Sequence, residues 1–220
     1  MSLKTINSCA MEDNILITVG RQIGSGGLQV AKLVGAELGI EVYDKNLLMI
    51  AARESGLAPE VFAAKDEKPG ALGRFARMVG LRGSVYGDSQ MYSGRSVMSE
   101  DELFALQSSV IRDLAARGSG VFVGRAADYV LRDNPRLMSV FITADPGDRV
   151  AKVMEREQLS ESEAQRFISE ADRKRANWYN YYTFKKWGDG ASYDFCLNTS
   201  RLGLEGTAAL IVETYRKCRG

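Results

Sequence analysis

Short apolar runs alternate with amphipathic segments along most of the chain. The first run, residues 15–19, is rich in β-branched residues and ends at Gly20, which is typical of a buried parallel strand. The other predicted strands are residues 39–44, 121–123, 137–143 and 193–197. Five apolar strands that alternate with helices predict an α/β fold, in which helices cover both faces of a parallel sheet.

The segments between these strands have helical spacing. Apolar residues recur at intervals of three and four from Val30 to Leu38, and Ser160 with Glu163 forms a capping-box pattern. Further helices are predicted at residues 45–55, 100–117, 146–157, 160–182 and 204–218. Residues 65–100 are rich in Gly, Ser, Arg and Tyr with weak periodicity, which predicts an irregular insert with some helix.

Composition narrows the classes of function. The 220 residues are 45% hydrophobic and 26% charged, which is typical of one globular domain. The net charge of +1 gives no general attraction to nucleic acid or membranes, so neither is expected as a partner. No histidine is present, which excludes imidazole catalysis, and the three cysteines have no metal-ligand spacing. Without a signal-peptide pattern or an apolar span, we expect a cytoplasmic protein.

The turn after the first strand is the most informative local pattern. Glycines crowd residues 20–27 just before the first helix, and such a turn points backbone N–H groups and a partial positive charge at an anion, most often phosphate. The strict phosphate-loop pattern GxxxxGK[ST] is absent, because Gly27 replaces its lysine and Leu28 follows. A tight turn that only packs against its own sheet is the structural alternative.

A dinucleotide-binding turn is a second alternative. Gly24 and Gly26 open a helix, and Asp44 follows about 20 residues later at the end of a predicted strand. Gln29 stands where that fingerprint needs Gly or Ala, and no Tyr-x-x-x-Lys or cysteine site accompanies it. An NAD-dependent oxidoreductase is therefore the weaker interpretation.

Several motifs in order along residues 15–215 resemble the cytidylate kinase-like family. They are the segment 17–27 (ITVGRQIGSGG), residues 42–45 (VYDK), 123–128 (VGRAAD), 172–175 (DRKR) and 193–200. The resemblance implies a P-loop fold in a single domain, residues 1–220, with a monophosphate-binding insert at about 45–100 and a lid at about 150–182. It also implies transfer of the γ-phosphoryl of ATP to a nucleoside monophosphate such as CMP or dCMP, with Mg²⁺. Such a reaction depends on positioning and on neutralising phosphoryl charge, and arginines can supply both without histidine.

The resemblance also implies a set of site residues. The phosphate loop would be Gly24, Ser25, Gly26 and Gly27. The cationic residues would be Arg21, Arg125, Arg173 and Arg175, with Arg21 as the substitute for the missing lysine. The substrate-binding carboxylates would be Asp44, Asp128 and Asp172, and no metal ligand is predicted. Helix capping for Asp44 and a solvated helix face for residues 172–175 are the structural alternatives.

Departures from the family pattern leave two functions open. The loop lacks both the lysine and the hydroxyl residue that reaches Mg²⁺, and Ala126 stands where an acid usually follows the Gly-Arg pair. One hypothesis is an ATP-dependent nucleoside-monophosphate kinase that compensates with its arginines. The other is a nucleotide- or phosphate-binding regulatory module with little or no catalysis.

Overall fold

The computed structural model describes residues 14–44 and 99–219. Residues 14–44 and 111–219 belong to one compact unit, and residues 99–110 belong to a second unit, Lys45–Val110. The predicted helix 45–55 and nearly all of the predicted insert 65–100 lie outside the described residues. No helix of the described part is long and apolar enough to cross a membrane.

The described strands form one parallel sheet, which confirms the α/β prediction. They are β1 (Leu16–Arg21), β2 (Glu41–Tyr43), β3 (Gly120–Val123), β4 (Leu137–Thr143) and β5 (Phe195–Asn198), in the order β2-β3-β1-β4-β5. Val19 pairs with Val123 on one side and with Val140 on the other, so β1 lies at the centre. Continuous β-branched runs suit such a strand, because both of its faces are buried.

Helices occupy the connections. They are α1 (Gly27–Leu38), α2 (Glu100–Arg117), α3 (Ala127–Val130), α4 (Pro146–Glu157), α5 (Glu161–Thr183) and α6 (Thr199–Arg219). A core cluster between one sheet face and helices α1 and α6 includes Ile17, Val34 and Ile211, all of which are fully or almost fully buried. Helices α4 and α5 form a smaller apolar cluster of their own.

Two element boundaries differ from the predictions, at the start of β2 and at the start of β5. Gly39 adopts a left-handed conformation and ends α1, and Ile40 N–H donates to the Gly35 carbonyl, so β2 starts only at Glu41. Strand β5 starts only at Phe195, because the preceding Asp194 exchanges hydrogen bonds with Ser139 through its carboxylate and its N–H.

The last helix also differs from its prediction. It starts at Thr199 rather than at residue 204, and Gly203 interrupts it with φ +70° and ψ 175°. The predicted capping box of α5 is confirmed, since Ser160 N–H donates 2.9 Å to the Glu163 carboxylate.

Candidate active site at the carboxyl ends of β1 and β3

The strand order creates a crevice between β1 and β3. The strand that follows β1 lies beyond β3, and the strand that follows β3 lies beyond β1. Connections that diverge in this way leave an opening at the carboxyl ends of the two strands, where α/β proteins bind ligands. Arg21 ends β1, and Gly124 and Arg125 directly follow β3, so three of the conspicuous residues of the sequence lie at this opening.

The glycine turn connects β1 to α1 at the opening. Gly24 and Gly26 both have φ +77°, a conformation in which side chains are strained. Within the described ranges, the structure gives no acceptor for the amides of Gly24, Gly26 or Gly27. These N–H groups stand at the start of α1, so they can donate to an anion.

Ser25 has a different role from its glycine neighbours. Its side chain is fully buried, and its hydroxyl donates 2.9 Å to the Gln22 carbonyl. Its amide points to the same carbonyl at 3.4 Å, and Thr199 donates its hydroxyl to the Ser25 carbonyl at 2.8 Å. Ser25 therefore shapes the turn from inside, and its side chain is not presented to a ligand.

The Arg21 side chain extends across the opening. A Cβ added at Gly27 would lie 2.5 Å from the Arg21 Cβ, and one added at Gly124 would lie 1.9 Å from the Arg21 Nη1. The side chain thus passes from the start of α1 to the end of β3. Only glycine at position 124 leaves room for this guanidinium group.

Two more arginines lie near Arg21. The Arg175 Nη1 donates 3.0 Å to the Arg21 carbonyl, which places the middle of α5 against the end of β1. Burial and the charges of Arg175 and Arg125 lower the pKa of Arg21 to about 9, and Asp44 offsets part of this effect. Arg21, Arg125 and Arg175 therefore form a cationic cluster, which an anionic ligand would stabilise.

The other two arginines of the cluster are also shifted. Burial lowers the pKa of Arg175 to about 10; Asp172 opposes this shift and Arg125 adds to it. Burial lowers the pKa of Arg125 as well. With pKa values of about 9 and about 10, Arg21 and Arg175 carry a positive charge at neutral pH.

The turn after β3 is strained where it presents Arg125. Gly124, Arg125 and Ala126 all have positive φ, at 74°, 60° and 51°. Left-handed backbone at two consecutive non-glycine residues costs free energy, and such strain concentrates at functional sites. Arg125 is therefore presented at the opening by a strained turn.

The structure does not bring every predicted residue to the opening. Arg173 is exposed, although it neighbours Asp172 and Arg175 in sequence. Asp44 follows the end of β2 and acts on Arg21 electrostatically. The predicted capping of a helix from Lys45 onward lies outside the described residues.

The carboxylate of Asp172 is engaged within the chain. Its Oδ1 accepts 2.9 Å from Ile23 N–H, and its Oδ2 pairs with the Arg149 guanidinium. Arg149 is buried and also donates from Nε to the Ile23 carbonyl at 2.7 Å. Arg149 was missed by the motif comparison, but its spacing from Val153 places it on the apolar face of α4, which is an unusual position for an arginine.

Asp128 is also engaged, in a buried polar network. Its Oδ2 accepts 2.6 Å from the Tyr179 hydroxyl. Burial raises the pKa of Asp128, and the hydrogen bond from Tyr179 opposes this effect. Burial also raises the pKa of Tyr179 and of Tyr193, whose rings stack with centroids 6.0 Å apart. The hydrogen bond between Asp128 and Tyr179 joins α3 to α5.

Hydroxyl groups near the loop face inward. Thr143 donates its hydroxyl to the Gln22 side chain, and the hydroxyls of Ser25 and Thr199 donate to backbone carbonyls of the loop. Among the residues described, no cluster of three or more acidic or thiol side chains is arranged to hold a metal ion. The described residues therefore form no all-protein cage for Mg²⁺; a Mg²⁺ ion that accompanies a nucleotide would be held chiefly by its phosphates and by water, and we assign no step to the metal. The loop amides and the arginine cluster do fit the phosphates of a nucleotide.

The strand order and the position of the glycine turn define an α/β fold of the P-loop type. Shikimate kinase from Bacteroides thetaiotaomicron shares this fold, with a TM-score of 0.53, 15% identity and coverage of 92% of this chain and 98% of that chain. Shikimate kinase from Acinetobacter baumannii in complex with shikimate is similar, with a TM-score of 0.51, 15% identity and coverage of 96% and 98%.

Sequence comparison then gives the family. Residues 16–201 match the cytidylate kinase-like family, and the chain belongs to it. An uncharacterized protein from Eubacterium ventriosum ATCC 27560 has 26% identity and a TM-score of 0.67, over 92% of this chain and 99% of that chain. Comparison with curated proteins gives no match.

Family and topology argue against the dinucleotide-binding alternative. In that fold, β2 lies beside β1, so the acid at the end of β2 is close to the glycine turn. Here β3 separates β1 from β2. Asp44 therefore follows a strand that is not adjacent to the loop strand.

Proposed function

We propose that this protein is an ATP-dependent kinase that transfers the γ-phosphoryl group to a nucleoside monophosphate, with CMP or dCMP as the first acceptors to test. One observation carries the proposal: the cationic cluster of Arg21, Arg125 and Arg175 gathers beside a glycine loop whose amides have no acceptor among the described residues. Membership in the cytidylate kinase-like family supports the same reaction class.

The loop and the arginines would have different roles in phosphoryl transfer. The amides of Gly26 and Gly27 hold phosphate oxygens at the start of α1, and Arg21 takes the place of the phosphate-loop lysine. In the transfer, an acceptor phosphate oxygen bonds to the γ-phosphorus as the bond to the bridging oxygen breaks, which releases ADP. Arg125 and Arg175 neutralise the charge on the transferring oxygens, so the reaction needs no imidazole base.

A nucleotide- or phosphate-binding regulatory module is the second candidate. It is favoured by the inward hydroxyls around the loop and by Gly27 at the lysine position. This module would use the same loop and arginines to bind ATP, and it would transfer no phosphoryl group.

A coupled assay separates the two candidates. ADP release is followed with ATP, Mg²⁺ and one acceptor at a time, with CMP, dCMP, AMP, UMP and shikimate as the panel, and ATP binding is measured in parallel by calorimetry. The kinase predicts ADP release that requires one acceptor and falls at least 100-fold in Arg21→Gln, with partial retention in Arg21→Lys. ATP binding without transfer to any acceptor would favour the module, and absence of ATP binding would contradict the kinase and any module that uses the loop to bind ATP.

A further inference from the structure

A closed ring of hydrogen bonds joins the phosphate loop to helices α4 and α5. Ile23 N–H donates 2.9 Å to Asp172, and the Ile23 carbonyl accepts 2.7 Å from Arg149 Nε. The ion pair between the Arg149 guanidinium and the Asp172 carboxylate closes the ring. Both backbone polar groups of one loop residue are therefore held by one ion pair.

The same loop residue is also held by packing. The Ile23 side chain contacts the small apolar cluster of α4 and α5, which includes Val153 and Ile168. The next residue, Gly24, lies so close to α4 that an added Cβ would be 2.7 Å from the Arg149 carbonyl oxygen. The loop is thus fixed to this helix pair at its N–H, its carbonyl and its side chain.

Helix α5 contacts the loop strand at a second point one turn further on. Asp172 binds Ile23, and Arg175 donates to the Arg21 carbonyl at 3.0 Å. Residues three apart lie on the same face of a helix, so this face of α5 contacts both the loop and the strand before it. The contacts fix the loop relative to Arg175, which belongs to the arginine cluster.

Stability alone does not explain the ion pair between Arg149 and Asp172. Its side chains are 11% and 16% exposed, and desolvation of such a pair consumes most of its Coulombic gain. Apolar residues of similar volume often serve stability equally well. A charged pair that binds both polar groups of one loop residue contributes geometry that apolar residues would not supply.

We infer that Arg149 and Asp172 are positioning residues that hold the phosphate loop in its anion-binding conformation without touching the ligand. Both Asp172 oxygens are already engaged, so this assignment replaces its predicted role as a substrate ligand. The inference rests on the proposed function in one respect, namely that the loop binds phosphate. Loss of a preorganised binding geometry weakens affinity even when the direct contacts survive.

The test removes both charges at once. In the double variant Arg149→Met/Asp172→Leu no unpaired charge stays buried, so we expect it to fold. ATP and inorganic pyrophosphate should each bind on the order of tenfold to 100-fold more weakly, the effect of losing one or two charge-assisted hydrogen bonds at the loop. Amide hydrogen exchange at Ile23 should accelerate by a similar factor, because its N–H loses its acceptor.

A second variant and a matched control separate positioning from stability. Asp172→Asn retains an acceptor for Ile23 N–H but weakens the pairing with Arg149, so its affinity should lie between wild type and the double variant. The exposed ion pair of α2, Asp113 and Arg117 at 2.6 Å, provides the control variant Asp113→Leu/Arg117→Met, which should bind ATP within twofold of wild type. All measurements are made well below each thermal midpoint, so that only folded protein is compared.

The possible outcomes are distinct. A double variant that loses thermal stability but keeps wild-type ATP affinity and wild-type exchange at Ile23 would overturn the inference and leave a purely structural ion pair. Wild-type protein that binds neither ATP nor pyrophosphate would contradict the proposed function and, with it, an anion-binding role for the ring. In that case, exchange at Ile23 would still show whether the ring holds the loop.

Discussion

Substitution of Gly124 by alanine perturbs the arginine cluster without changing any charge. The new methyl group would lie 1.9 Å from the Arg21 Nη1, whereas non-bonded atoms rest at about 3.5 Å. The guanidinium group must therefore shift by about 1.5 Å. Misplacement of a catalytic group by about 1 Å costs roughly 100-fold in rate, which corresponds to about 2.7 kcal/mol of transition-state stabilisation.

A matched glycine separates this effect from backbone strain. Gly39 has φ +65°, close to the +74° of Gly124, but a Cβ at Gly39 meets nothing within 4 Å. Alanine in a left-handed conformation costs about 1–2 kcal/mol at either site, so both variants should lose similar stability from strain. Only Gly124→Ala should lose activity.

The assay compares kcat/KM for acceptor-dependent ADP release in the two variants and wild type, with ATP affinity measured on the same samples. We expect Gly124→Ala to fall roughly 100-fold and Gly39→Ala to stay within twofold. Equal activity in the two variants, with both folded, would refute the argument that the position of Arg21 determines the chemistry.

Two further predictions follow from the buried charges. The affinity for ATP should be constant between pH 7 and 8 and should fall as pH rises past about 9, because Arg21 and then Arg175 lose their protons there. Calorimetry across this pH range measures the affinity, and a constant affinity up to pH 11 would contradict the prediction. Without ligand the Arg21 contribution has the opposite sign: its pKa in the folded protein, about 9, lies below the ordinary pKa of arginine, so this group's contribution to stability rises as pH increases above about 9. Tyr179→Phe removes the donor to the buried Asp128 carboxylate and should cost about 1–3 kcal/mol of unfolding free energy, measured by denaturant titration. The exposed Tyr181→Phe is its control, and equal midpoints for the two variants would show that the hydrogen bond adds no stability.

Local pattern was sufficient to predict the sheet and the loop. Strand β1 follows from an apolar β-branched run, and the start of α1 follows from the glycine-rich turn, in which Gly24 and Gly26 have positive φ. The start of β5 was harder to predict, because it depends on hydrogen bonds between Asp194 and Ser139, which are 55 positions apart. Contacts of that separation leave no local trace in one sequence.

Side-chain partners were the least predictable part of the site. Motif comparison selected Asp128 and Asp172, yet their carboxylates are engaged by Tyr179 and Arg149 across the fold. Neither partner belongs to a recognisable motif. By contrast, the grouping of Arg21 with Arg125 follows from topology, since β1 and β3 are neighbours and their carboxyl ends meet at one edge.

The central claim is that the loop amides and the arginine cluster together bind the phosphates of a nucleotide. A crystal structure with a non-hydrolysable ATP analogue tests it most directly. The account predicts phosphate oxygens within about 3 Å of the amides of Gly26 and Gly27, with Arg21 in the place of the phosphate-loop lysine and the Arg125 and Arg175 guanidinium groups on the γ-phosphate. An analogue bound elsewhere, with no phosphate at the loop or the arginines, would contradict it.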